Sequence, residues 1–305
     1  MPNIDPKLRK ALSGISGILV TPFDASDKIA PSRLQPIVDR AVTAGVHMLV
    51  ANGNTGEFYG LTMSEADAMM KAAAEIIGGR VPLIGGVGKS VGDACALAKA
   101  SRAAGAQVLM VHQPPDPFVA PRGVVEYVKR VADAGGGLPI MLYLRNDAIG
   151  LDAIEALTKV PGVAGVKWAS PTPMRLAEAI RRCPPDIVWV DGLAEPWAPP
   201  FYAVGARGFT SGLINVWPEQ SVAIHRALDS GDYVQAAKLI DVMAPFEDVR
   251  AEENNGTNVT GVKAALQLIG EDCGPTRPPS AWPLTEAQQK KMRESVQRWG
   301  LKVAR

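Results

Sequence analysis

Residues 139–145 read PIMLYLR and residues 163–170 read VAGVKWAS, two short apolar runs with one helix-length stretch between them. Each run is rich in residues that suit a buried pleated surface and stops at polar or small residues, so the pair reads as two parallel strands joined by a crossover. The same unit repeats outward in both directions: ISGILVTPF (15–23), VHMLVANG (46–53), VPLIGGVG (81–88) and QVLMVHQ (107–113) come before it, and IVWVDGL (187–193) and ARGFTSGL (206–213) after it, making eight runs. Amphipathic stretches such as SRLQPIVDRAVTAG (32–45), SEADAMMKAAAEIIGG (64–79), GDACALAKASRAAG (92–105) and PMRLAEAIRRC (173–183) lie between runs. Several of these close on the glycine expected at a helix C-terminus. Eight regularly spaced parallel strands close better as a barrel than as an open sheet, which predicts an α/β fold, a (β/α)8 TIM barrel, over residues 13–230. A C-terminal helical extension is expected over 231–305, with the eighth helix and three more from about 217 onward and a break at CGPTRPPSAWP before the last.

Composition narrows the function classes. A chain of 305 residues suits one such barrel with an extension, and 32 basic against 31 acidic residues leave a net charge of +1. No global field then attracts nucleic acid or an anionic membrane, so an anionic ligand has to be caught locally. The start, MPNIDPKLRKAL, lacks the apolar stretch of a secretory signal, and no apolar run approaches the ~20 residues of a membrane span. A cytoplasmic protein is expected. Cys95, Cys183 and Cys273 lie far apart without zinc-site spacing and read as buried or idle thiols, and no metal is expected. NNGTNVTG (254–261) matches the N-glycosylation pattern twice but reads as a turn in a chain without a signal peptide.

In barrels of this kind chemistry sits at the C-terminal strand ends, which directs attention to the polar residues closing each run. Lys167 lies late in the sixth run, on the same side as Gly165 and Ala169, whose small side chains leave room for its stem. A lysine aimed into a barrel mouth is desolvated and becomes a nucleophile toward ketones; a lysine paired with a carboxylate is the competing reading. Tyr143 holds the same late, inward register one strand away and can shuttle protons, though a tyrosine satisfied by backbone within the core fits as well. After the second run comes Gly53-Asn54-Thr55-Gly56-Glu57, where glycines let the backbone turn its N–H groups inward as a nest for a carboxylate. Thr55 is placed to hydrogen-bond Tyr143.

LVTPF in the first strand, GNTGE after the second, a Tyr ending the fifth and GVK in the sixth, with 24 residues from Tyr143 to Lys167, together resemble the dihydrodipicolinate synthase / N-acetylneuraminate lyase superfamily. The resemblance runs from Gly17 to the final helix. It implies Lys167 as a Schiff-base lysine, Tyr143 as proton shuttle, Thr55 as its hydroxyl partner, and the amides around Asn54 and Thr55 as the holder of the substrate carboxylate. No cofactor is implied beyond the covalent imine at Lys167, and the partner is a small 2-oxo acid. Family members are commonly tetramers built from pairs of dimers, so a homo-oligomer is expected.

Two departures separate this chain from the lysine-pathway synthase: Ala148 stands where that enzyme has an arginine, and HQPPDPF replaces its tyrosine pair after strand 4. Arg145, two residues after Tyr143, and the continuation GEF instead resemble the 5-dehydro-4-deoxyglucarate dehydratase branch, which implies a sugar diacid that loses water and carbon dioxide. Arg145 can grip its far carboxylate or pair with Asp147 or Asp191. Ser211 and Gly212, at the end of the eighth run, align with a family segment near the substrate, although Ser211 equally suits a helix-start turn. The roles of His112, Asp191 and Asn215 stay open. A pyruvate-dependent synthase or aldolase and a non-catalytic 2-oxo acid binding protein remain alternatives. Gly88-Lys89-Ser90 looks like part of a phosphate loop, but the first glycine of that motif falls on Leu83.

Overall fold

The structure, a computed structural model, describes residues 4–116, 118–279 and 282–304. Strands β1 (Ile15–Ile18), β2 (Met48–Ala51), β3 (Leu83–Val87), β4 (Val108–His112), β5 (Ile140–Leu144), β6 (Val163–Trp168), β7 (Val188–Asp191) and β8 (Phe209–Ser211) close in sequence order into one barrel. Every strand residue is buried, as expected of parallel strands with helices on their outer side. Helix α1 (Pro6–Leu12) precedes β1, and α2 (Gln35–Ala44), α3 (Met63–Ile77), α4 (Val91–Ala103), α5 (Pro121–Gly135), α6 (Leu151–Thr158), α7 (Pro173–Arg182) and α8 (Ala198–Ala203) each follow a strand. After β8 come α9 (Pro218–Asp229), α10 (Tyr233–Asn255), α11 (Asn258–Leu268) and α12 (Glu286–Arg298), the last of them forming the C-terminal helical extension.

All eight expected strands are present, each shorter than its apolar run, the first and last most of all. Beyond Ile18 the backbone donors of the first run find other partners. The Val20 amide donates to Asn215 Oδ1 at 3.2 Å, and the Phe23 amide to the Cys273 carbonyl at 2.9 Å. Apolar character persists there because the segment stays buried, while the ladder has ended.

The chain forms two compact units. The first, Met1–Ser16, His47–Val50 and Val81–Thr210, holds β3 to β7 and packs around Trp168, whose ring lies 6.2 Å from that of Trp189. The second, Gly17–Val46, Ala51–Arg80 and Ser211–Arg305, holds α2, α3 and α9 to α12 and buries Phe23, Phe58 and Phe246. In it α3 opens with a capping box between Thr62 and Glu65 and ends at Gly78, whose φ of 57° needs no Cβ penalty. Helix α10 breaks at Glu252–Asn254, so the turn expected at NNGTNVTG is there in its first half. The second half is helical. Arg250 donates to the carbonyl of Asn258 (3.1 Å) and to its Oδ1 (3.0 Å), which holds the start of α11 at that point. Among the described residues no helix is long and apolar enough to cross a membrane.

Candidate active site

Within the first unit, β4, β5 and β6 run in register so that His112 pairs with Tyr143 and Tyr143 with Lys167. Partners across parallel strands point to one face, and the three side chains form a row across the ends of three strands. All are buried, at 1% exposed for His112, 5% for Tyr143 and 3% for Lys167. Lys167 Nζ stands 3.9 Å from the centroid of the Tyr143 ring, and the His112 ring meets the same tyrosine edge-on at 5.2 Å. The expected register of Lys167 and Tyr143 is therefore what the strands adopt. Space for the lysine stem comes from Gly192, where a Cβ would sit 3.0 Å from Lys167 Cγ and 2.7 Å from the Ala169 Cβ. Gly165 serves packing between strands instead, since a Cβ there would sit 2.8 Å from the Val188 carbonyl and 3.0 Å from the Met141 side chain.

Arg145 lies just beyond the end of β5 and is exposed, its amide donating to Gln113 Oε1 at 2.8 Å. Gln113 also accepts from the Asn146 amide and donates to the Asn146 carbonyl, so the end of β4 holds the segment carrying Arg145. Asp147, one of two carboxylates considered for Arg145, is engaged by Arg175 (3.3 Å) and by the Thr172 hydroxyl (2.8 Å). Asp191, fully buried at the end of β7, accepts the Leu193 amide at 2.7 Å.

The turn after β2 belongs to the second unit. Its internal bonds use the amides of Gly56 and Phe58 on the Gly53 carbonyl and that of Glu57 on the Asn54 carbonyl. Among the described residues neither the Asn54 nor the Thr55 amide donates to a backbone carbonyl, the arrangement an anion nest requires. Thr55 is 5% exposed. Gly56 cannot be replaced freely, because a Cβ would lie 2.9 Å from the Leu19 carbonyl, and its own carbonyl accepts from Thr21 Oγ1 at 2.7 Å. Two residues that bracket the turn, Asn52 (φ 59°) and Glu57 (φ 55°), adopt left-handed backbone, a cost that surrounding contacts must hold in place.

At β8 the same unit fixes Ser211, Gly212 and Asn215. Ser211 Oγ lies 3.1 Å from Ser221 Oγ and accepts the Ile214 amide at 3.2 Å, in keeping with a helix-start turn. Gly212 leaves room for the Arg250 guanidinium, whose Nη2 a Cβ would meet at 2.5 Å. Asn215 gains a definite role. Its Nδ2 donates to the carbonyls of Ile18 and Gly212, both at 2.8 Å, and its Oδ1 accepts from Val20, so one amide staples the end of β1 to the end of β8.

Of the three cysteines, Cys183 and Cys273 are buried, and burial pushes the Cys273 thiol up to about 11. Among the described residues no group of three or more His, Cys, Asp or Glu is placed to hold a metal ion. Sequence reading missed Gly192, whose lack of a side chain is legible only once β7 lies beside β6. It also missed the partner of Glu57, which is 206 residues away.

Residues 11–299 match the model of the dihydrodipicolinate synthetase family. An uncharacterized DapA-like lyase of Halobacterium salinarum is 33% identical over 276 residues, covering 88% of each chain. A probable 5-dehydro-4-deoxyglucarate dehydratase 1 of Streptomyces coelicolor is 33% identical over 258 residues, covering 82% of this chain and 81% of its own. Among solved structures, dihydrodipicolinate synthase from Oceanobacillus iheyensis superimposes with a TM-score of 0.92 at 35% identity, over 97% of this chain and 99% of that one. With a family match over nearly its whole length, the fold of those enzymes and relatives named as lyases and dehydratases, this chain belongs to the dihydrodipicolinate synthetase family and is a lyase.

Proposed function

We propose that the protein is a Schiff-base lyase in which Lys167 forms an imine with the ketone of a 2-oxo acid. The observation that carries this reading is the buried row on β4 to β6, with the Lys167 amine 3.9 Å from the Tyr143 ring in direct register. The amine adds to the ketone and water leaves, giving an imine that draws electrons from the adjacent carbon. A proton lost from that carbon lets hydroxide depart from the next one, and Tyr143, with the Thr55 hydroxyl as its partner, handles these protons. The Gly53-Asn54-Thr55 amides take the substrate carboxylate, supported by the two amides that the turn leaves out of its own bonds. No separate cofactor enters, since the protonated imine is the electron sink.

The substrate we favour is a 2-oxo-3-deoxy sugar diacid such as 5-dehydro-4-deoxyglucarate, dehydrated with loss of carbon dioxide. Arg145 supports it, as an exposed guanidinium two residues beyond Tyr143 suits a far carboxylate. Ser211 and Gly212 are assigned to the substrate as the residues closing β8. A pyruvate-condensing synthase is the second reading, favoured by the likeness to synthases at 34–35% identity. A cytoplasmic homo-oligomer belongs to the same proposal by family resemblance.

Borohydride reduction with pyruvate, followed by peptide mass analysis, tests the imine. A reduced adduct on the peptide bearing Lys167 is expected, and an unmodified Lys167 overturns the reading. In the same preparation, turnover of 5-dehydro-4-deoxyglucarate without condensation of pyruvate and aspartate semialdehyde is expected; the reverse pattern selects the synthase.

A further inference from the structure

Glu57 closes the Gly53–Glu57 turn with a left-handed backbone, and its side chain runs into the protein interior. Its carboxylate is fully buried. Oε1 accepts from Lys263 Nζ at 2.7 Å, and Oε2 accepts from the Arg277 amide at 2.8 Å. Lys263 lies on α11, is itself 4% exposed, and donates a further bond to the Pro275 carbonyl at 2.7 Å. Its ammonium also stands 4.4 Å from the centroid of the Phe23 ring, which the Arg277 guanidinium approaches at 4.0 Å. Each part of the buried charge is thus answered: the ammonium meets a carboxylate, a carbonyl and an aromatic face, and the carboxylate meets an ammonium and an amide. Arg277 in turn reaches Glu65 on α3 through both terminal nitrogens (3.0 and 2.9 Å) and Asp27 through Nε (2.8 Å).

A buried pair of this kind is weak evidence for net stability, because desolvating both ions offsets most of their attraction. What it supplies is a fixed direction. Removing either partner changes the contacts that hold Glu57 at φ 55°, and with them the backbone three residues upstream.

We propose that Lys263 is a positioning residue for the carboxylate-holding turn: through Glu57 it fixes the backbone on which the Asn54 and Thr55 amides are presented. This rests on the imine reading above. The C-terminal extension then serves the site without touching substrate, since α11 carries the lysine that sets the nest.

The experiment follows pyruvate trapping by borohydride on the full chain, reading separately the pyruvate concentration for half-maximal labelling of Lys167 and the labelling rate at saturation. Two variants are used, Glu57→Gln and Lys263→Met. The first is expected to fold, because burial already pushes the Lys263 amine below its ordinary range and Glu57 opposes that shift, so without the carboxylate the lysine can stay neutral. In both, the half-saturating concentration is expected to rise about tenfold or more, as misplacement of a binding group by a fraction of an ångström produces, with the saturating rate within about threefold of the parent. The double variant should be no worse than the more affected single one, since both act through one contact. Variants that melt earlier but keep the parent half-saturation would show a scaffold role and overturn the proposal. If the parent chain itself traps no pyruvate at Lys167, the imine reading fails; if it traps pyruvate and the variants match it, only the positioning role fails.

Discussion

Tyr143 shows how one side chain can serve packing and chemistry through different atoms. Its ring face meets the Lys167 amine and its ring is met by the edge of His112, while the hydroxyl is the part that can exchange protons. Replacement by phenylalanine keeps both ring contacts and removes only the hydroxyl. We expect Tyr143→Phe to fold with stability within about 1 kcal/mol of the parent. Its rate of imine trapping at saturating pyruvate should fall by about 10² to 10⁴, the span that positioned acid–base groups contribute. Unchanged trapping would leave the tyrosine a packing residue. The pairing of Tyr143 with Lys167 was legible in the sequence because strand alternation and a late position in two adjacent runs are local facts. The bracing by Gly192 and His112 was not, since it depends on which strands become neighbours and at what register.

Between elements, the ties that matter in the second unit are polar and distant in sequence. Glu65, in the first turn of α3, caps its own helix through Thr62 and is gripped by Arg277, which holds its carboxyl down at about 2. A carboxyl depressed in the folded chain contributes stability that is present above its ordinary pKa of 4.5 and is lost as the pH falls from there toward about 2. Glu65→Gln should therefore be less stable than the parent at pH 7 by roughly 1–3 kcal/mol, after allowance for partial exposure, and the gap should close by about pH 2. Urea denaturation at a series of pH values measures it, and a gap independent of pH would assign the effect to packing instead. Elements such as α3 were readable from amphipathic spacing and a closing glycine. Their ion pairs were not: Arg277 and Glu65 stand 212 residues apart, and nothing in the composition of either segment marks the other as its partner.

At the scale of the whole molecule, closure of the barrel decides how damage spreads. Eight strands in a ring leave no edge from which part of the sheet can detach intact, and β1, β2 and β8 contribute to the ring while the chain beyond β8 supplies the extension. The eight-run pattern makes this closure legible in the sequence. What the pattern could not convey is how firmly the last helix is held, because besides its own buried Met292 and Val296 that draws on an aromatic residue just after α12. Trp299 stacks on Trp217 at 5.1 Å, meets Phe246 edge-on at 5.5 Å and donates its indole N–H to the Val242 carbonyl at 3.2 Å. Trp299→Ala removes a nearly buried side chain and leaves that carbonyl without its donor, at a cost of about 3–5 kcal/mol. For a chain of this size that corresponds to a fall in Tm of roughly 5–8 °C. If closure binds the extension to the barrel energetically, the variant unfolds in one transition, with far-UV circular dichroism and tryptophan fluorescence sharing a lowered midpoint. Two separated midpoints, the earlier one taking only part of the far-UV signal, would show that the helices after β8 come apart by themselves and that the barrel stands without them.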